Sequence, residues 1–259
     1  MNLYLENKII IVSGGAKGIG AAITKSLAAE GALPVIIGRS EQDNLELANE
    51  ITALGQKAGY VTAELSTPEH CKTAIETIVA EYGRIDGLVN NAGVNDGVSL
   101  ESGDYEGFIA SYHKNAVHYY LLAHHALPYL KESKGAIVNI SSKTAETGQG
   151  GTSGYAAANG ARNALTREWA VELLPYSIRV NAVIVAEAWT PLYENWIKTF
   201  DNPEDKLAKI TANIPLEHRM TKTEEIADMV AFLLSSRSGH TTGQLIHVDG
   251  GYVHLDRAL

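Results

Sequence analysis

Two kinds of apolar pattern alternate along the chain. Short, continuous runs rich in Ile and Val occupy residues 8–12, 34–37, 60–63, 87–90, 136–140, 178–183 and 244–248. Runs of this kind are buried on both faces of a parallel sheet. Between them lie stretches with helical spacing. The first covers about 19–30 and ends at Gly31; the second covers 41–54 and stops at Gly55. Thr67-Pro68-Glu69 opens a third, with Pro68 in its first turn, running to about Tyr82. Longer helices are predicted over 104–131 and 153–174, and another over 224–234. Residues 189–210 form a mixed stretch with helix signals and two prolines.

Strand and helix therefore alternate throughout. The pattern predicts an α/β fold: one Rossmann-like, doubly wound parallel sheet of about seven strands in the order 3-2-1-4-5-6-7. No linker rich in Pro, Gly or Ser divides the 259 residues, so 1–259 read as one domain, with 186–221 an insertion over the ligand crevice. A crevice is expected at the carboxyl ends of the strands. Composition leaves this picture unchanged. The net charge of -9 adds that the overall field disfavours nucleic acid and anionic membranes. One cysteine, Cys71, excludes an intrachain disulfide and reads as a buried helix residue. Residues 1–8 lack signal-peptide architecture, and no apolar run reaches about 18 residues, so a cytoplasmic location is the default expectation.

The first chemical signal follows the first strand. In Ser13-Gly14-Gly15-Ala16-Lys17-Gly18-Ile19-Gly20, glycines 14, 18 and 20 fall at a strand-to-helix turn. Such a turn lets backbone N–H groups approach a pyrophosphate at a helix N-terminus. The second strand ends in Gly38-Arg39-Ser40. Arg39 cannot accept bonds from ribose hydroxyls, as an acidic residue would, but its fork suits a 2′-phosphate, and Lys17 adds a second charge. These cations favour NADP(H), with NAD(H) left open; the alternative is that both are solvated surface charges.

The spacing Gly-x-x-x-Gly-x-Gly resembles the short-chain dehydrogenase/reductase family, with Ser13 where the family has Thr. Asn90-Asn91-Ala92-Gly93 is similar to the family's fourth-strand motif, and Asn115, Ser142 and Tyr155 match its active-site Asn, Ser and Tyr in order and spacing. The resemblance spans almost the whole chain. It implies an NAD(P)-dependent oxidoreductase without a metal. Its cofactor contacts would come from Ser13, Gly14, Lys17, Gly18, Ile19, Gly20, Arg39, Glu64, Leu65, Asn91, Ala92, Gly93, Tyr155, Asn159 and Thr190. Tyr155 would exchange a proton with the substrate oxygen, Ser142 would fix that oxygen, and Asn115 would complete a water-linked proton path.

One position departs from the family. Four residues after Tyr155, where a Lys would share its helix face, stands Asn159. A cation about 4 Å from a phenolate is worth roughly 4 kcal/mol at an effective dielectric of about 20. Its loss predicts chemistry slowed by orders of magnitude at neutral pH and partly recovered in alkali. Lys143 and Arg162 are candidate substitutes, though each reads more simply as a surface charge or a substrate contact. Three readings stand: a disabled variant, a non-catalytic nucleotide-binding or scaffolding protein, or an enzyme with a rearranged relay. Val185, where the family commonly has Pro, predicts a looser loop after the sixth strand.

Residues 143–154, between Ser142 and Tyr155, are polar and suit a ligand with several hydroxyls. This run, with Trp189-Thr190-Pro191-Leu192-Tyr193 and 250–257, resembles the L-fucose dehydrogenase branch of the family. The implied substrate is a sugar or polyol, oxidised at the anomeric carbon to a lactone. Candidate contacts are Lys143, Glu146, Gln149 and Trp189; the alternative is that they shape polar loops. His254 and Arg257 are candidates to reach a neighbouring subunit. By the same resemblance, the helices carrying Tyr119, Tyr120, Leu121, Leu122, Leu165 and Trp169 would assemble a homotetramer.

Overall fold

A computed structural model describes residues 2–255 of the chain; Arg257 lies outside the described residues. Seven strands form one sheet: β1 (Ile9–Ser13), β2 (Leu33–Gly38), β3 (Gly59–Thr62), β4 (Gly87–Asn90), β5 (Ala136–Ser142), β6 (Arg179–Val185) and β7 (Leu245–Val248). All pair in parallel, in the expected order β3-β2-β1-β4-β5-β6-β7. The helices between them are α1 (Gly18–Ala29), α2 (Glu41–Ala53), α3 (Pro68–Tyr82), α4 (Tyr105–Tyr112), α5 (His118–Ser133), α6 (Ser153–Glu172), α7 (Pro191–Ile197), α8 (Pro203–Thr211) and α9 (Thr223–Leu234).

The continuous apolar runs follow from burial on both sides. In β1, Ile9 and Ile11 join Leu88, Ile137 and Val180 in a core closed by Cys71, Ile75 and Ile78 of α3, Tyr119 and Leu122 of α5, and Trp169 of α6. Ile10 and Val12 point the other way. They join Val89, Val138 and Val183 beneath Ile23 and Leu27 of α1 and Ile226 and Val230 of α9. Cys71 is fully buried, as expected, and burial pushes its thiol up to about 11. It therefore stays protonated, a packing residue rather than a nucleophile.

The predicted helix over 104–131 is interrupted. Between α4 and α5 the backbone takes a π-helical turn at His113–Val117. Asn115 Nδ2 donates to the carbonyls of Ser111 (2.9 Å) and Val94 (3.0 Å), and its Oδ1 accepts from Val94 N (2.8 Å). Its side chain claims the Ser111 carbonyl that a regular helix would give to the Asn115 N–H, and the turn widens. A hydrophobic period cannot register one inserted residue. The stretch 189–210 resolves into α7 and α8, each with Pro at its start and a side-chain cap: Thr190 accepts from Tyr193 N, and Asn202 accepts from Asp205 N. Its stem closes on itself, with Trp189 N bonded to Thr221 O (3.0 Å) and Thr221 N to Glu187 O (2.9 Å). The stem of the loop after β6 is therefore tied to residue 221 by these two bonds.

At the amino ends of the central strands Asp86 ties β1 to β4. Its carboxylate accepts from Ile9 N (3.0 Å), Lys8 Nζ (3.1 Å) and Arg84 Nε (2.9 Å). Asp86→Ala would orphan a buried N–H and two cations. Urea denaturation should show a loss of about 2–3 kcal/mol with an unchanged slope.

Candidate active site

The crevice opens between β1 and β4, where the strand order reverses. Gly14 and Gly18 hold φ of +63° and +54°, which disfavour side chains. A Cβ on Gly20 would stand 2.0 Å from Gly14 O. Ser13 Oγ accepts from Asn91 N (2.9 Å) and Ala92 N (3.1 Å), and Asn91 Nδ2 donates to Ser13 O (2.9 Å) and Gly14 O (3.2 Å). The turns after β1 and β4 thus form one unit. Its side-chain-free backbone at the start of α1 fits a pyrophosphate. Thr190 borders this cradle, its methyl 3.5 Å from where a Gly18 Cβ would be. Ile19 instead packs into the α1 side of the core.

The two candidate phosphate cations differ. Lys17 Nζ is paired with Asp43 Oδ2 at 2.7 Å and, with the Ser40 hydroxyl, holds that carboxyl below its ordinary value. Arg39 is exposed at the end of β2 and joins none of the ion pairs among the described residues. Glu64 is exposed beyond β3, with its carbonyl bound to the His70 ring at 2.8 Å, while Leu65 packs against the core.

Helix α6 lies along the carboxyl end of β5. Ser141 Oγ donates to Asn163 Oδ1 (2.6 Å) and Asn159 O (3.4 Å). Ser142, the last residue of β5, accepts at Oγ from Thr144 N (3.2 Å) and Thr144 Oγ1 (3.1 Å). One turn into α6, Tyr155 is half-buried and Asn159 is buried; Asn159 Nδ2 donates to Tyr155 O at 2.8 Å.

Arg162 is not the surface charge that the sequence suggested: it is 3% exposed. Its Nε donates to Asn115 O (2.6 Å), Nη1 to Asn159 Oδ1 (3.0 Å) and Ile140 O (3.2 Å), and Nη2 to Asn115 Oδ1 (3.3 Å). Its central carbon lies 4.3 Å from the Tyr119 ring centre and 6.0 Å from that of Tyr155. A Cβ on Gly93 would meet Nη2 at 2.6 Å, so the glycine after β4 makes room for the guanidinium. A signal for this was present in the sequence. Tyr155, Asn159, Arg162 and Thr166 follow one another at i, i+4, i+7 and i+11, one face of a helix.

Lys143 is not a surface charge either. Its ammonium is buried in an ion pair with Glu187, the residue two beyond β6, and lies 4.0 Å from the Tyr252 ring centre. Sequence reading missed both partners, which lie more than 40 positions away. Burial and the Glu187 carboxylate push the Tyr193 phenol up. Lys143 and Gln149 line one cavity of about 370 Å³ with Thr147, Gly148, Tyr252 and Val253. Glu146 faces a different one, of about 720 Å³ between α6 and β7, where Oε2 meets His247 Nε2 at 3.0 Å. Glu146, His247 and His254 each bring one ligand atom within 4.8 Å of the others, a spacing that can hold a metal ion. Trp189 stacks at a tilt on Tyr193, which meets Trp196 edge-on. The four candidate substrate contacts are thus divided: the structure joins Lys143 and Gln149 and sets Glu146 apart.

The fold and this constellation define a nicotinamide-dependent oxidoreductase, and comparison with known proteins gives the family. The family model described as enoyl-(acyl carrier protein) reductase matches residues 14–253. The chain belongs to the short-chain dehydrogenase/reductase family of NAD(P)-dependent oxidoreductases. It is 36% identical to the 3-oxoacyl-[acyl-carrier-protein] reductase FabG of Thermotoga maritima, over 97% of this chain and 100% of that protein. It is 31% identical to the L-fucose dehydrogenase of Bos taurus, over 97% and 91%. Among solved structures, Cj0485 dehydrogenase superposes with a TM-score of 0.95 at 44% identity, over 100% of this chain and 99% of that one. Among the described residues, no helix is long and apolar enough to cross a membrane.

Removing one partner of the Lys143–Glu187 pair leaves the other charge buried. Lys143→Met should cost about 3 kcal/mol in chemical denaturation, and Lys143→Met with Glu187→Gln should regain most of it.

Proposed function

We propose that this protein oxidises the anomeric hydroxyl of a free sugar of the L-fucose kind to the lactone, using NADP(H) in preference to NAD(H). The observation that carries the reading is the cavity that begins one residue beyond Ser142. Its lining of Lys143, Thr147, Gln149 and Tyr252 offers donors and acceptors to several hydroxyls and little apolar surface. The relatives named L-fucose dehydrogenase support it, as does the carrot relative named glucose and ribitol dehydrogenase, 32% identical.

The chemistry assigns each group a task. Ser142 Oγ already accepts two bonds from Thr144, so its own proton is free to hold the substrate oxygen. Tyr155 takes the hydroxyl proton as the C–H bond at the anomeric carbon breaks and the carbonyl forms. The nicotinamide, when bound, accepts the hydride. Asn115 shapes the floor of the site through the π-helical turn. Gly14, Gly18, Gly20 and the 91–93 turn hold the dinucleotide. Arg39 reads the 2′-phosphate, because Lys17 is already spent in neutralising Asp43. For assembly we propose a homotetramer through α4, α5 and α6. Tyr119, Leu122 and Trp169 face the sheet, while Tyr105, Phe108, Tyr120 and Val171 remain exposed. Light scattering coupled to gel filtration tests this.

Cofactor reduction followed by absorbance with L-fucose and its stereoisomers tests the reaction; no turnover with any free sugar would refute it. Arg39→Ala should lower kcat/KM for NADP by about a hundredfold, the worth of a charge-assisted pair, and leave that for NAD within about threefold. An equal loss with both cofactors would exclude Arg39 as the phosphate reader.

A further inference from the structure

We propose that the buried guanidinium of Arg162 supplies Tyr155 with the positive charge that a lysine at position 159 would give under the family motif. The inference rests on the dehydrogenase reading above. Arg162 is almost fully buried, and its four bonds all go to amide oxygens, none to a carboxylate. An unbalanced charge is costly to bury and marks a site where it is used. The anion that this site generates is the Tyr155 phenolate, whose ring centre lies 6.0 Å from the guanidinium carbon.

Other groups near this point do not supply the charge. Lys143 is committed to Glu187. His118, next to Tyr119, is held down at about 4 by burial and by Arg162, so it is neutral at working pH. The Tyr119 hydroxyl donates to Ile140 O at 3.0 Å; burial pushes this phenol up, and the Arg162 charge opposes that push. The field of Arg162 therefore reaches the Tyr119 phenol, which lies on the same guanidinium. Arginine suits the position because a guanidinium keeps its proton in surroundings where an ammonium can lose it.

Asn159 is the complement of this arrangement. Its Oδ1 accepts from Arg162, and its Nδ2 donates to the carbonyl of Tyr155. A lysine there accepts nothing and would place a second cation against Nη1. Asn159→Lys alone should therefore lower the melting temperature and fail to raise the rate. Asn159→Lys with Arg162→Val moves the single charge to the family position, and should recover activity relative to Arg162→Met.

The test compares pH profiles of kcat for sugar oxidation. Arg162→Met should slow turnover about a hundredfold at neutral pH, with its acid limb displaced towards alkali and cofactor affinity by fluorescence little changed. Arg162→Lys should stay closer to the parent. A uniform slowing at every pH would overturn the proposal. So would a folded, cofactor-binding double variant no faster than Arg162→Met. An independent readout needs no turnover: the ultraviolet absorbance of ionised Tyr155, obtained by subtracting the Tyr155→Phe variant from the cofactor-free protein. It should develop at higher pH in Arg162→Met; an unchanged titration refutes the role of Arg162. If the parent oxidises no sugar yet this titration shifts, the dehydrogenase reading fails and the charge assignment stands.

Discussion

The hydrogen bonds of one guanidinium organise the chemistry of this fold. Arg162, on α6, reaches the π-helical turn before α5 through Asn115, the end of β5 through Ile140, and its own helix through Asn159. Three segments that carry candidate active-site residues are fixed relative to one another by a single side chain. Gly93, from a fourth, leaves the space that it fills. Because all these partners are neutral, the charge is solvated without being cancelled. Carbonyl dipoles offset part of the desolvation cost, and the field remains available to the phenol beside it.

That arrangement needs a rigid platform, which the sheet provides. Parallel strands buried on both faces place their carboxyl ends at one edge, so Ser13, Asn90, Ser142 and Val185 emerge together. At the switch point the latch between Ser13 and Asn91 couples two turns that are 78 residues apart. The glycines of the first turn keep side chains away from the start of α1, as close approach of a dinucleotide phosphate requires. The Lys143–Glu187 pair does similar work beyond β5, tying the loop after that strand to the stem of the α7–α8 insertion.

The sheet was legible because its information is local. Runs such as Ile9–Ser13 and Arg179–Val185 carry the parallel-strand signature themselves, and helix starts such as Thr67-Pro68 follow from capping chemistry within a few residues. The glycine turn was legible for the same reason. What escaped was set by tertiary partners. The π-helical turn depends on Val94, 21 residues from Asn115. The burial of Lys143 depends on Glu187, 44 residues away, and the placing of Glu146 beside His247 on a contact across 101 residues. Arg162 was a different failure. Its helical position pointed inward, but a charged residue carries a strong prior for the surface, and periodicity was overruled by residue type.

The exchange of Lys for the Asn159–Arg162 pair has a cost that a simple charge transfer would not. A lysine at the family position ends in a mobile ammonium with three donors, which can serve the cofactor ribose and the phenol at once. The guanidinium is immobilised, with four of its bonds spent on protein oxygens. It can hold a charge in place but cannot swing towards a ribose. Asn159 Nδ2 spends one proton on Tyr155 O and retains another. The contacts interlock: Gly93 leaves the space that Nη2 of Arg162 fills, and Asn159 offers Arg162 an acceptor that a lysine could not.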